Sequence, residues 1–305
     1  LTIANAVLTQ TGTTTESGLL NVTGGGLAVN GTWNASNYAQ SAGTVGGSGT
    51  LTVSGPASFT GGTIGNSTAG VVTFQNSLQI TGSAAKSIND GTVNTQGTTA
   101  WGGNTAANIN AITSFGGTIN NTGAWLDQNA FNTSLSESCC ATATFNNLGT
   151  YTKSGNSTTS FAGATVFNNE GTLAIDAGSI AVGSNFSMLG SAALLFLQVV
   201  SQINDPLQVN ATATLTGTLD LNFDFKPTTG EVITIFDYAG HNGRFDNIVG
   251  MGDATGLTLT PIYNGTDLQV VVGAPTVPLP PSVWLLGSAL LGLGVLTRSP
   301  RTVRR

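Results

Sequence analysis

A repeated hexapeptide limits what this chain can fold into more than any other feature. Phe145-Asn-Asn-Leu-Gly-Thr150 returns as Phe167-Asn-Asn-Glu-Gly-Thr172, 22 residues further on, and a looser copy, Ile119-Asn-Asn-Thr-Gly-Ala124, lies 26 residues before the first. Fainter echoes occur at Gly49-Thr-Leu-Thr-Val-Ser-Gly55 and Gly61-Gly-Thr-Ile-Gly-Asn66. A period in this range predicts a solenoid, in which each unit adds a turn and buries its apolar face against its neighbours. Within each unit the pattern has period two. Leu51 and Val53 alternate with Thr50, Thr52 and Ser54, and Leu173 and Ile175 alternate with Thr172, Ala174 and Asp176, as half-buried strands require. The Asn-Asn-x-Gly element is expected to form the corner, because Asn and Gly tolerate positive φ.

No segment before residue 275 has the periodicity of an amphipathic helix, and glycine interrupts every run at less than helix length. The fold class predicted is all-β: a right-handed parallel β-helix over residues 1–190, with stacked Asn, Thr and aliphatic ladders. The stretch from Leu126 to Thr144, which breaks the repeat spacing, is expected to be a projecting loop. Residues 191–272 change character to longer strands, expected at Leu207–Val209, Ala211–Phe225, Glu231–Tyr238, Leu257–Tyr263 and Asp267–Val272. In the second of these, Leu215, Leu219, Leu221, Phe223 and Phe225 alternate with Thr216, Thr218, Asp220, Asn222 and Asp224. Such a region would cap the last turn, whose open edge otherwise invites aggregation.

Only 7% of residues are charged, against roughly 25% in ordinary globular domains. Solubility must therefore come from Thr, Ser and Asn. Lys86, Lys153, Lys226 and Arg244 are the only bases before residue 298, set against fourteen acidic residues. That balance argues against nucleic acid as a partner, since phosphates need basic surface. Cys139 and Cys140 are adjacent, a spacing that strains a disulfide between them. With His241 as the one histidine, no zinc ligand set is expected, and no cofactor is expected either. The chain begins at Leu1 without a basic segment followed by an apolar core, so a signal peptide is expected to have been removed or to lie outside it.

Candidates for chemistry are few. His241, in Ala239-Gly-His-Asn-Gly243, reads as a solvated turn residue rather than a general base, and a Cys140–His241 pair would need the fold to join them. Asp220, Asn222, Asp224 and Glu231 match part of a calcium loop, but Phe225 occupies the glycine position, and strand alternation would spread the side chains along one face. Gly24-Gly25-Gly26 lacks the Lys-Ser/Thr of a phosphate loop and reads as a turn. Sequons such as Asn21-Val-Thr23 and Asn210-Ala-Thr212 are expected by chance in so Asn- and Thr-rich a chain. Trp33, Tyr38, Trp101 and Trp125 are expected in or beside loops, either stacking on sugars or covering solenoid corners.

The last thirty residues have another composition. A proline segment containing Val277, Pro278, Leu279 and Pro280 precedes an uncharged apolar run that includes Val283, Trp284, Leu285, Leu286, Leu290, Leu291, Leu293 and Leu296; Arg298, Arg301, Arg304 and Arg305 follow. Counted back to Val277, the uncharged stretch approaches the roughly 20 residues of a spanning helix. The arginines suit the cytoplasmic side. This order resembles the PEP-CTERM sorting signal of exported bacterial proteins, in its VPLPA form; Leu279 stands where the commoner form has Glu. The resemblance implies export, a single C-terminal transmembrane helix, processing by an exosortase near the proline motif, and a cell-surface or matrix location in a Gram-negative bacterium that makes exopolysaccharide.

The body resembles autotransporter-type passengers. The motifs are Thr99-Ala-Trp-Gly-Gly103 with the Phe-Asn-Asn-x-Gly-Thr units, then Asp205 to Leu221, Gly230, Gly243-Arg244-Phe245 and Tyr263 to Val270. Two classes of function follow. The first is a non-enzymatic, adhesin-like surface or matrix protein that contacts exopolysaccharide. The second is a β-helix polysaccharide-cleaving enzyme, which would need clustered carboxylates or a base with calcium.

Overall fold

The computed structural model describes residues 1–66, 70–139, 141–201, 205–252, 254 and 256–274. These residues form 32 strands and no helix, so no helix among them is long and apolar enough to cross a membrane. The expected spanning segment, with the proline motif and arginines, lies outside the described residues.

The chain is a parallel β-solenoid of about 10 turns. Through most of its length each turn contributes one strand to each of three faces, and every strand pairs with the strands three before and three after it. The first face stacks Thr50–Val53, Val71–Phe74, Thr92–Thr95, Thr118–Asn121, Ala143–Asn147 and Thr165–Asn169 in register. At about 4.8 Å per paired strand, ten turns extend roughly 50 Å. The long strands Thr13–Val22, Thr32–Gln40 and Leu207–Leu215 each bend through a register shift and serve two faces.

Alternation is carried through as the sequence predicts. Thr50–Val53 and Thr172–Ile175 each bury the second and fourth residues, and Leu219, Leu221 and Phe223 are buried from Thr218–Phe223. The interior is one continuous column. Aromatic rings fill its middle: Phe145 stacks on Phe167 at 5.2 Å between centroids, and Trp125 meets Phe145 edge-on at 5.1 Å and lies parallel to Tyr151 at 6.3 Å.

Four expectations need correction. Trp33, Tyr38, Trp101 and Trp125 are buried strand residues of the core, at most 3% exposed, because each stands at an inward position of a period-two strand. Leu126 to Thr144 is not a projecting loop. It carries the strand Thr133–Glu137, paired on both sides with Ile112–Phe115 and Thr158–Ala162. The predicted strand Ala211–Phe225 is broken at Gly217, whose φ of 72° turns the chain. The Asn-Asn pairs lie within strands, and Gly123, Gly149 and Gly171 do not have positive φ.

Those glycines are needed for closeness. A Cβ on Gly171 would sit 2.0 Å from the carbonyl oxygen of Gly149, one on Gly149 2.1 Å from that of Gly123, and one on Gly123 2.0 Å from that of Gly97. Corner backbones of successive turns thus stack without room for a side chain.

Parallel stacking continues past residue 191, through Leu194–Val199, Thr218–Phe223 and Asn247–Gly252. Antiparallel strand pairs enter near the end of the described chain, where Asp267–Gly273 joins both Val232–Gly243 and Thr258–Tyr263; earlier, a single antiparallel bridge links Asn89 and Gly116. These extra strands bury Ile233, Ile235, Phe236, Leu268, Val270 and Val272.

Candidate functional site

Three polar arrangements stand out: a double column on the first face, a polar cluster inside the solenoid, and an acidic cleft near the C-terminal end.

Strand alternation sends the two asparagines of each Asn-Asn pair to opposite sides of the first face. The outward column runs Asn34, Thr52, Thr73, Asn94, Asn120, Asn146, Asn168 in register. Its amides are linked: Asn120 Nδ2 donates to Asn94 Oδ1 at 2.9 Å, Asn146 Nδ2 to Asn120 Oδ1 at 2.8 Å, and Asn168 Nδ2 to Asn146 Oδ1 at 2.9 Å. Two residues earlier on each strand runs a second outward column, Thr32, Thr50, Val71, Thr92, Thr118, Thr144, Val166. Neither column contains a charged residue.

The inward column passes from Thr95 through Asn121, Asn147 and Asn169, between Phe74 at one end and Met188 at the other. Asn121 Nδ2 donates to Asn147 Oδ1 at 2.8 Å and to the Thr150 carbonyl at 3.0 Å; Asn147 Nδ2 donates to Asn169 Oδ1 at 2.7 Å and to the Thr172 carbonyl at 2.8 Å. A buried amide that reaches both its counterpart and a backbone carbonyl one turn up satisfies groups that burial would otherwise penalise. The repeat thus encodes an internal ladder and an external one together.

On the second face, Trp101, Asp127 and Lys153 are stacked in register, and Asp127 and Lys153 are completely buried, with Lys153 Nζ 3.8 Å from Asp127 Oδ1. Asp127 also accepts from Tyr151 Oη at 2.9 Å, Asn129 Nδ2 at 2.9 Å and the Thr159 hydroxyl, while Lys153 donates to the Gly155 carbonyl and Ser157. Burial lowers the Lys153 ammonium pKa against the opposing pull of Asp127. Burial, reinforced by the Asp127 charge, raises that of the Tyr151 phenol well above its ordinary value. Lys86 is buried too, donating to the Gly82 and Ala84 carbonyls at 2.7 and 3.1 Å, and desolvation lowers its pKa to about 8. Two of the four bases before residue 298 are therefore core residues. Period two carried that signal, since Thr150-Tyr-Thr-Lys153 alternates outward and inward.

Asp176, Asp205 and Asp224 line one cleft with Asn156 and Gln198. Burial raises the pKa of Asp176, and Asp205 Oδ2 accepts from Gln208 Nε2 at 2.9 Å. No group of three or more His, Cys, Asp or Glu side chains among the described residues is placed to hold a metal ion. Asp220 and Asn222 follow one another along the outside of Thr218–Phe223, half-buried, and Asp224 lies just beyond its end, exposed. Glu231 accepts from Thr228. His241 is not in a turn: it sits in the strand Val232–Gly243, paired with Ala213, its ring 5.2 Å from Tyr238 and 5.4 Å from Tyr263. Cys139 is exposed, and Cys140 lies outside the described residues.

Val277, Pro278, Leu279, Pro280, the apolar run from Val283 to Leu296, and Arg298, Arg301, Arg304 and Arg305 are outside the described residues as well. Comparisons with protein-family models, curated proteins and solved structures find no match for the chain. The class the fold defines is the parallel β-solenoid with extra C-terminal strands.

Proposed function

We propose that this is an exported surface or matrix protein, a right-handed β-helix closed by its C-terminal strands and held at the inner membrane by the helix from Val283 to Leu296. An exosortase then releases it near Val277-Pro-Leu-Pro280 to a site among exopolysaccharide, where the solenoid serves as a stiff, adhesin-like spacer. The observation that carries this reading is the sequence order: about 10 solenoid turns lead directly into a proline motif, an apolar run and four terminal arginines. The four terminal arginines support the direction, because Lys and Arg flanking a spanning segment favour the cytoplasmic side. Thr and Asn ladders suit a long exposed body, since they keep its faces hydrated with few ions.

Intact-mass measurement of the chain from its native host, with and without the exosortase, tests the proposal. A C-terminus near Pro278 to Pro281 only when the enzyme is present is the expected result. An intact Arg305 in surface-located protein would reject processing.

A further inference from the structure

The double column on the first face has a regularity that neither hydration nor a spacer role requires. Thr92, Thr118 and Thr144 stand in one row and Asn94, Asn120 and Asn146 in the next, on strands paired in register with no bulge. The rows repeat every ~4.8 Å along the axis and lie ~6.6 Å apart across each strand. The side chains are pre-set. Threonine is stiff at χ1, and each asparagine amide is held by the next at 2.8–2.9 Å.

From this geometry we infer that the first face binds ice. The occupant must repeat in two dimensions, because the site does. The rows themselves offer no charge to an ionic polymer, although the chain as a whole carries −6 and Glu170 lies in the groove beside Asn94, Asn120 and Asn146. A threonine hydroxyl has one donor and two acceptor positions, and a ladder asparagine keeps one N–H and one acceptor position after its ladder bonds. Mixed donors and acceptors at fixed spacing are what a lattice of water molecules presents in return, while the threonine methyl groups favour ordered over mobile water. A polysaccharide fibre is also neutral and periodic, but the apolar face of a sugar ring packs best against an exposed aromatic ring. The large aromatic side chains exposed among the described residues are Phe115 and Phe131. Phe115 ends a strand of the third face, and Phe131 follows a strand of the second. The inference goes beyond the surface-protein reading and does not depend on the tail.

Slow freezing of the purified full chain, with the protein in ice and liquid then quantified, provides the test. The intact chain should concentrate in the ice and facet growing crystals. Thr118→Lys with Thr144→Lys should abolish both effects, while Thr113→Lys with Thr152→Lys, on the other two faces, should leave them unchanged, all with unaltered circular dichroism. Should the first lysine pair unfold the chain, Thr118→Ala with Thr144→Ala removes hydroxyl and methyl without added bulk, and loss of partitioning is again expected. Exclusion of the intact chain from ice overturns the inference, as does equal partitioning of a folded first-face variant. Binding to cellulose or chitin that the first-face pair abolishes, without ice binding, would also overturn it and assign the face to a polysaccharide.

Discussion

Asn146 and Asn147 are neighbours in the chain, yet their amides donate in opposite directions along the solenoid. Asn146 Nδ2 reaches back to Asn120 Oδ1 at 2.8 Å outside the sheet, and Asn147 Nδ2 reaches forward to Asn169 Oδ1 at 2.7 Å inside it. One is half-buried and the other is at 0% exposure, so the same chemistry carries different energies. Asn147→Ala should cost about 2–3 kcal/mol, because buried groups on Asn121 and Asn169 lose a partner, whereas water can replace the bonds lost in Asn146→Ala, at about 1 kcal/mol or less. Urea unfolding of the two variants checks this. Equal losses would mean the inner ladder is not the stabilising one.

The Asp127–Lys153 pair gives a second contrast. Asp127→Ala strands a buried ammonium and removes the acceptor of Tyr151, Thr159 and Asn129, with an expected loss of about 3–5 kcal/mol. Combining Asp127→Leu with Lys153→Met should recover the part due to the stranded ammonium, while Tyr151, Thr159 and Asn129 still lack their acceptor and keep the double variant below the parent. Thermal melts of the single and double variants decide. A double variant as unstable as the single would show that the stranded ammonium is not what costs stability and that the hydrogen bonds to Asp127 are.

Stability should rise and then fall in alkali. Lys86 has a folded pKa of about 8 against an ordinary 10.5, so between those values the unfolded chain binds more protons and stability rises with pH. Tyr38 and Tyr151 are shifted upward by burial; above pH 10 the folded chain holds their protons and stability falls. Denaturant midpoints from pH 7 to 11 should therefore peak near pH 10, and Lys86→Met should flatten the rising limb.

Gly149→Ala should destabilise by about 1–3 kcal/mol or more, since its Cβ would meet the Gly123 oxygen at 2.1 Å. Gly265→Ala, with nothing within 4 Å, should be near neutral. Comparable effects would remove the close-stacking account of the corners.

The solenoid was legible because Leu51, Val53, Leu173 and Ile175 alternate so cleanly and the hexapeptide repeats. The role of its letters was less so. A repeated glycine suggests positive φ, and only the stacking of one corner on the next shows that volume is what it saves. Trp33 reads as a loop residue by type, though Thr32 and Asn34 on either side mark it as inward, and Lys153 stands in the same way between Thr152 and Ser154. Thr133–Glu137 escaped notice because Leu135 is its one buried hydrophobe, too little for a pattern. The acidic cleft joins residues from three turns, a proximity that depends on stacking register and not on sequence spacing.

The most direct test labels intact cells of the native host with a membrane-impermeant amine reagent and maps the modified lysines by peptide mass spectrometry. Lys226 is exposed, whereas Lys86 and Lys153 are at most 1% exposed. An exported solenoid predicts modification of Lys226 on intact cells, with Lys86 and Lys153 protected until the chain is unfolded. Lys226 reacting only after lysis would contradict the location, and Lys86 and Lys153 reacting as readily as Lys226 would contradict the fold.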